Sequence, residues 1–297
     1  MPTRLFVCFC FLFPVVLPAP VQAEVKAIVN AGYFSIFGFA PGSLVTIYGE
    51  RLAKSTAIAE SIPLPKTLNG TQVSFCRQGD PVCYPQELLF VSPNQINFLL
   101  RYSYIDSLET IIMVRNETMG SSGWAIKLNW ISPGIFAAGY DCPSNRSDVP
   151  CTFSPTRLHA NQLLRATITD PGYRLIKSDN PARPGGIYVA WLTGLGNDGV
   201  VGDIKNRLGG LDMAISLLPR DDYGVRVLAY AVLLYAGASR DFPGLYQINF
   251  QIPSDVAWVS GACTSGKAEI WLTLLGWTTS EGMPLPLRAL PDDAACK

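Results

Sequence analysis

The sequence predicts an all-β protein built from β-sandwiches, with few or no helices. The 297-residue chain contains 26 Gly and 23 Pro, which recur every few residues and leave no room for long helices. The segments between them alternate apolar and polar residues, as half-buried strands do. The tetrapeptide QINF occurs twice, at residues 95–98 and 247–250, so the flanks of the two copies must be compared.

The start of the chain predicts a secretory signal peptide over residues 1–23. Arg4 precedes an apolar stretch at 5–17, and "PAPVQA" then ends in a small residue at Ala23, where we expect cleavage. The stretch is shorter than the roughly 20 apolar residues that span a bilayer, and no later segment of the sequence reaches that length. We therefore expect a secreted protein (extracellular, cell-surface or periplasmic) with no membrane span after cleavage.

The charge balance excludes one class of partner. Lys and Arg number 23, and Asp and Glu also number 23. A chain without net charge offers no electrostatic basis for binding nucleic acid. The partner is unknown at this stage, and a cell-surface glycan or protein is the expectation that fits a secreted chain.

The cysteines beyond the leader predict disulfides. They are Cys76, Cys83, Cys142, Cys151, Cys263 and Cys296. An even number in an exported chain argues for pairing. The spacing favours Cys76 with Cys83 and Cys142 with Cys151, each pair enclosing a polar loop. Cys263 with Cys296 would then tie the chain end to the last hairpin, although the sequence alone leaves other pairings open.

A metal site is not predicted. The chain has no C-x-x-C motif, and its one histidine is His159.

The flanks of QINF indicate an internal duplication. "APGSLVTIYGERLA" from residue 40 matches "RPGGIYVAWLTGLG" from residue 183, with an offset of 143 between the two Pro-Gly pairs. "LLF" at 88–90 matches "LLY" at 233–235 at an offset of 145, and QINF itself repeats at 152. Because the order is kept while the offset grows, we predict two copies with insertions. The expected domains are 24–131 and 132–297, the second with an insert at about 139–180.

The amides of QINF have a predicted structural role. In a strand, Gln95 and Asn97 lie on the face opposite the apolar residues, and Gln247 and Asn249 repeat this arrangement. Amides both donate and accept, so we expect them to bond the backbone of the loop just upstream, "VSPN" or "GASRDFPG". A ligand-binding role for the same amides is the alternative.

Several stretches carry a resemblance to a known family. They are "APGSLVTIYGERLA", "LPKTLNGTQVSF", "LLFVSPNQINF", "SPGIFA", "NPARPGGIYVAWLTGLG" and "VLLYAGASRDFPGLYQINFQIPSDV". Together they resemble the Solibacter-type uncharacterised C-terminal domain family of secreted acidobacterial proteins, and the Pro-Gly opening is similar to the IPT/TIG group. The resemblance, which runs from about Val29 to the end, implies two tandem immunoglobulin-like β-sandwich domains without a known activity. The cysteines and the insert depart from the family pattern.

No catalytic residue or cofactor site is predicted. "GLGNDG" at 194–199 fits G-x-G-x-x-G, but the glycine-rich stretch that follows does not predict the helix a dinucleotide needs, so we interpret it as a turn. His159 has no nucleophile motif beside it. The acid pairs at 221–222 and 292–293 are consecutive, so the two side chains of each pair point apart in an extended chain.

Two tryptophans are the predicted binding residues. Alternation in "AEIWLTLLGW" places Trp271 on the face opposite Ile270 and Leu272, and Trp277 follows shortly after. Exposed Trp rings form platforms for sugars and protein partners, while core or inter-domain packing is the alternative. The function expected from the sequence is a secreted non-catalytic binding or structural module. An extracellular polysaccharide hydrolase and a module that assembles through sheet edges are the alternatives.

Overall fold

The structure is a computed structural model that describes most of the chain. The described residues are 22–32, 38–77, 80–102, 110–116, 120, 123–141, 163–177, 180–196, 211–217, 227–239, 241–254, 267–274, 277–278 and 283–286. All regular secondary structure within them is β-strand, which confirms the predicted all-β class. None of these residues forms a helix long and apolar enough to cross a membrane.

The strands fall into two units. The first unit contains β1 (Glu24–Asn30), β2 (Leu44–Glu50), β3 (Ala57–Ile58), β4 (Gln72–Arg77), β5 (Cys83–Pro85), β6 (Glu87–Val91), β7 (Gln95–Leu99), β8 (Thr110–Arg115) and β9 (Trp124–Ile126). The second unit contains β10 (Gly134–Ile135), β11 (Ala137–Asp141), β12 (Leu163–Ala166), β13 (Ile168–Thr169), β14 (Ile187–Thr193), β15 (Leu211–Leu217), β16 (Val227–Tyr230), β17 (Val232–Ala238), β18 (Tyr246–Gln251), β19 (Lys267–Leu274), β20 (Trp277–Thr278) and β21 (Met283–Pro286). The domain boundary expected between residues 131 and 132 stays a prediction.

The first unit is a sandwich of two antiparallel sheets. One sheet has the order β1-β2-β7-β6-β3, and the other has the order β5-β4-β8-β9. Their inner faces share one core, in which Phe98 of the first sheet and Ile112 of the second are fully buried. Alternate burial along β7 follows from the alternation of QINFL, because successive side chains of a strand point to opposite faces.

The second unit also has two main sheets. One has the order β10-β14-β18-β17, with β13 also paired to β14, and the other has the order β16-β15-β19-β20, with β21 also paired to β19. Met213 of β15 is fully buried and joins the core formed by the first of these sheets, so the two sheets pack face to face. The hairpin of β11 and β12 forms a separate two-stranded sheet.

The two QINF strands occupy equivalent positions. β7 lies between β2 and β6, and β18 lies between β14 and β17, with antiparallel pairing on both sides. Ile96 pairs with Ile47, and Ile248 pairs with Ala190, so the register reproduces the offset of 143 residues found in the sequence. The order of the repeated motifs is therefore the order of equivalent strands.

A shared β-bulge strengthens this equivalence. The register between β6 and β7 shifts at Leu88/Phe90, and the register between β17 and β18 shifts at Leu233/Tyr235. Both shifts fall in the repeated Leu-Leu-aromatic motif, at the offset of 145. A bulge places an extra residue in one strand, and it is a specific local feature rather than an accident of pairing.

The edge strand reveals a further equivalence. Ile28 of β1 pairs with Ile47, and Ile168 of β13 pairs with Ala190, so residues 168–170 correspond to residues 28–30. These residues fall within the insert expected at about 139–180, whose bounds stay a prediction. The sequence similarity at this place is short, because only "NAG" and "DPG" are related.

The same turn follows the edge strand in both units. Asn30 Oδ1 accepts the backbone N–H of Gly32 at 2.9 Å, and Asp170 Oδ1 accepts that of Gly172 at 2.9 Å. Asn and Asp side chains commonly bond the backbone two residues ahead in this way.

One predicted disulfide is confirmed. Cys76 and Cys83 are bonded across the hairpin of β4 and β5, where they are direct cross-strand partners. Cys142, Cys151, Cys263 and Cys296 lie outside the described residues.

Because the central isoleucines of the two copies are packed alike, we expect their substitution to lower the stability of the protein by similar amounts. Ile96 and Ile248 are both fully buried, whereas Ile58 is 63% exposed. Ile96→Val and Ile248→Val each remove one buried methyl group, and each should lower the free energy of unfolding by about 0.5–1.5 kcal/mol. Urea unfolding of both variants, with Ile58→Val as an exposed control that changes little, tests this. A cost confined to one copy would show that the copies are not packed alike.

Candidate functional site

The outer face of the second unit's QINF sheet forms the floor of a groove. Trp191 of β14 and Gln247 of β18 are direct cross-strand partners, and Gly237 of β17 pairs with Gln247 from the other side. All of them lie on the face opposite the buried Ile248. Tyr235 of β17 completes the floor. Because the inner face is committed to the core, only the outer side chains of these strands are available to a ligand.

An extended hairpin forms one wall. The offset between the copies rises from 145 residues at Tyr235 to 152 at Gln247, so the β17–β18 hairpin is seven residues longer than its counterpart in the first unit. The backbone N–H of Ser239 bonds the carbonyl of Leu245 at 2.8 Å and closes the hairpin. Phe242 at its tip is 64% exposed and lines the groove.

A turn after β13 forms the opposite wall. Tyr173 is 74% exposed, and its ring stacks on Trp191 with a centroid distance of 6.3 Å and an interplanar angle of 29°. The indole N–H of Trp191 donates to Thr169 Oγ1 at 3.2 Å, which fixes the ring from below. Two aromatic rings from distant parts of the sequence are thus held together beside the groove.

Asp170 holds the turn that presents Tyr173. Tyr173 has a φ of +62°, a left-handed conformation that costs a residue with a side chain roughly 1–2 kcal/mol. Asp170 Oδ1 accepts the backbone N–H groups of Gly172 and Arg174, at 2.9 and 3.0 Å, and Oδ2 accepts Arg174 Nε at 2.8 Å. These bonds flank Tyr173 on both sides and stabilise the strained conformation. Such strain is typical of functional sites.

The same bonds lower the pKa of Asp170. The backbone N–H of Arg174 contributes most to holding the pKa of this carboxyl below its usual value, and the Arg174 side chain and the N–H of Gly172 act in the same direction. Burial of the carboxyl opposes them. The ionised form of Asp170 is therefore the form that the turn requires.

The groove is mainly aromatic with neutral polar groups. Its volume is about 910 Å³, and its lining residues are Phe136, Thr167, Tyr173, Trp191, Tyr235, Ala238, Ser239, Asp241, Phe242, Leu245 and Gln247. Asp241 is the one charged residue among these lining residues. This volume lies within the range of small-molecule sites, and such sites combine apolar walls with a few polar groups.

The amides of QINF differ between the copies. In the first unit, Gln95 Nε2 donates to Asn97 Oδ1 at 2.9 Å, so these amides bond each other rather than the loop backbone. Ser92 holds that loop instead, because its Oγ accepts the backbone N–H of Gln95 at 2.9 Å. In the second unit, Gln247 lines the groove, and Asn249 Oδ1 is enclosed without a hydrogen-bond partner among the described residues.

The predicted binding tryptophans lie on other strands. Trp271 is in β19, paired with Ala214, and Trp277 is in β20, paired with Leu274. Neither strand supplies a described lining residue of the groove, and the side chains of both tryptophans fall outside the described part of the structure. Their binding role stays a prediction. Sequence alternation identified the strand face of each Trp, but it contained no information about which loops border that face.

Most groove residues were missed for an identifiable reason, and Gln247 is the exception, because a ligand-binding role for it was the alternative drawn from the sequence. Trp191 is the counterpart of Tyr48 at an offset of 143 residues, and it pairs with Gln247. The sequence repeat alone therefore places Trp191 beside the repeated amide. Its strand is uniformly apolar, which suggested burial. The signal that could have found it is the lengthened hairpin, whose extra residues include Asp241 and Phe242.

The remaining sequence motifs add no chemistry within the described residues. Gly194 and Gly196 have positive φ, and a Cβ at either would collide with a backbone carbonyl oxygen, so this part of "GLGNDG" is tightly packed. The interpretation of the whole motif as a turn stays a prediction, because residues 197–199 lie outside the described residues. His159 and the acid pairs at 221–222 and 292–293 lie outside the described residues. In the part of the chain that the structure covers, no three His, Cys, Asp or Glu side chains gather as metal ligands.

Comparisons with known proteins identify no family. No family model matches the chain, and no curated protein matches it. Among solved structures, the full extracellular region of plexin A4, domains 1 to 10, aligns with 92% of this chain at 10% identity and a TM-score of 0.21. Domains 5-6 of the S-layer protein SbsC align with 90% of this chain, and with 98% of their own length, at 13% identity and a TM-score of 0.23. The chain spans only 16% of the plexin chain.

The Asp170 turn should respond to pH. The pKa of Asp170 is lowered in the folded protein, so its stabilisation of the turn is present above the usual Asp pKa and is lost as the pH falls through the lowered value. NMR titration of the Gly172 and Arg174 amide shifts should give a midpoint below the usual Asp pKa of about 3.9.

A matched pair of variants checks the cause. Asp170→Ala should abolish this titration and speed amide exchange at Gly172 and Arg174. Asp80→Ala removes a similar acceptor, which bonds the N–H of Val82 in a turn of the first unit, and should leave both readouts unchanged. A midpoint at or above the usual Asp value would contradict the assigned bonds.

Proposed function

We propose that this chain is a secreted, non-catalytic module that binds glycan at the cell surface or outside the cell, with the groove of the second unit as its binding face. The observation that carries this proposal is the lining of the groove, which combines exposed aromatic rings with neutral hydrogen-bonding groups.

Sugar rings suit this lining. The C–H faces of a sugar pack against flat aromatic surfaces, and Tyr173 and Phe242 present such surfaces at 74% and 64% exposure. Thr167, Ser239 and Gln247 offer neutral donors and acceptors to sugar hydroxyls. Asp241 is the one charged side chain among the described residues that line the groove, and it would repel an anion. A neutral glycan is therefore favoured over an acidic polymer.

Three features support the extracellular location. The first 23 residues have the pattern of a secretory signal. The Cys76–Cys83 disulfide fits an oxidising compartment, where such bonds persist. The ordered motifs resemble the Solibacter-type domains of secreted acidobacterial proteins, and membership of that family is part of the proposal.

Loss of Trp191 should weaken glycan binding strongly. The mature protein would be tested against immobilised cellulose-type, xylan, mannan and chitin-type oligosaccharides, with polygalacturonate as the acidic member of the panel. We expect binding to at least one neutral glycan and a weakening of at least about tenfold in Trp191→Ala, because central aromatic residues dominate binding energy.

The chain offers a matched control. Trp130 is 68% exposed and does not line the groove, so Trp130→Ala removes an equally large ring without affecting the site. Trp271→Ala and Trp277→Ala would test the prediction from the sequence that these two tryptophans bind the ligand. The proposal would be refuted if the protein bound no glycan, or if Trp130→Ala weakened binding as much as Trp191→Ala. Binding only to polygalacturonate would overturn the assignment of a neutral glycan as the ligand.

A further inference from the structure

The wall of the groove is fastened to the first unit by one hydroxyl group. Thr193 Oγ1 accepts the backbone N–H of Leu44, the first residue of β2, at 2.8 Å. The same oxygen donates to the carbonyl of Gly244, in the β17–β18 hairpin, at 2.7 Å. A hydroxyl can donate once and accept at the same time, so both bonds coexist. Thr193 has no exposed surface, and water cannot replace these bonds.

Close packing accompanies these bonds. Gly244 has a φ of +80°, and a Cβ at this position would lie 2.6 Å from Leu44 Cγ and 2.7 Å from Leu99 Cδ1. The hairpin backbone therefore lies directly against two leucines of the first unit. Glycine is required here both by its conformation and by the lack of space.

A second groove residue contacts the first unit. Phe136, which follows β10, packs against the cluster of Leu44, Leu64 and Leu99 and also lines the groove. Its backbone N–H bonds the carbonyl of Trp191 at 2.9 Å. The floor and one wall of the groove are thus both connected to the surface where the units meet.

We propose that the first unit positions the groove of the second, so that glycan binding depends on the bonds from Leu44 through Thr193 to Gly244. Thr193 is a positioning residue, because its hydroxyl is bonded to Leu44 and Gly244. This inference rests on the proposed function for its ligand, but the positioning of the hairpin can be measured without any ligand.

The inference explains why only the second unit would bind a ligand. The first unit has a short connection from β6 to β7, whereas the second has a hairpin of seven additional residues that lies against the first unit at Gly244. Leu44 and Leu99 supply that support. Because linkage is reciprocal, a ligand that holds the hairpin must also stabilise the contact between the units.

The test uses the full mature chain and two substitutions of Thr193. Thr193→Val keeps the shape and removes both bonds, while Thr193→Ser keeps the hydroxyl. Hydrogen exchange measured by mass spectrometry on the peptide covering 239–245 reports the hairpin. We expect exchange at least about tenfold faster in Thr193→Val and near-normal exchange in Thr193→Ser. The affinity for the neutral glycan bound best by the wild type should fall at least about tenfold in Thr193→Val only.

Matched controls separate this effect from general destabilisation. Thr46→Val makes the same change at a buried Thr of β2, whose counterpart in the second unit is already Val189, and should alter neither readout. If Thr193→Val does not fold, Gly244→Ala displaces the hairpin from Leu44 and Leu99 instead.

The outcomes are distinct. Unchanged hairpin exchange in Thr193→Val, or in Gly244→Ala, overturns the positioning role whether or not a glycan binds. Fast exchange with wild-type affinity overturns the dependence of binding on the hairpin. If the wild type binds no glycan, the proposed function fails, and faster hairpin exchange would then still support positioning by the first unit. Slower exchange of the Leu44 amide on glycan binding would support the coupling directly.

Discussion

Two-sided backbone pairing of the QINF strands is the constraint on which the rest of the molecule depends. Each of these strands is hydrogen-bonded to a neighbour along both edges, and its apolar side chains fill the core below. Because pairing occupies both edges of the strand and the core occupies its inner face, only the side chains on the outer face of each sheet can differ between the copies. A one-residue slip would bring the amides into the core, so the register is strongly fixed. Variation between the copies is consequently confined to outer side chains and to loops.

The two copies illustrate this division between fixed and variable parts. Their registers, their bulges and the turns after their edge strands agree, yet the amides of the first copy bond each other while Gln247 of the second faces a groove. The change in the second copy required no new strand. The longer hairpin and the turn that carries Tyr173 border this face in the second copy, whereas an aromatic residue on the face itself is common to both copies, as Tyr48 and Trp191.

Sequence reasoning recovered the features that depend on local pattern. Alternation gave the strands, the ordered motifs gave the equivalence of Ile96 and Ile248, and short spacing gave the Cys76–Cys83 bond. The stacking of Tyr173 on Trp191 could not be predicted from the sequence. It requires the positive φ of Tyr173 and the carboxylate of Asp170 that holds this conformation, and both lie in a turn two strands away from the hairpin. Composition and period specify which face a side chain occupies, whereas a site depends on which loops meet above that face.

The position of the groove beside the junction of the units has a physical consequence. A lengthened hairpin is costly to order by itself, since every additional residue loses backbone entropy on folding. The contact of Gly244 with Leu44 and Leu99 and its bond from Thr193 offset that cost. The bond between Ser239 and Leu245, which closes the hairpin, acts in the same direction. The first unit therefore supports the hairpin that forms the wall of the groove. The sheet that carries the groove and the surface that holds its wall thus belong to two units with equivalent QINF strands, registers and β-bulges.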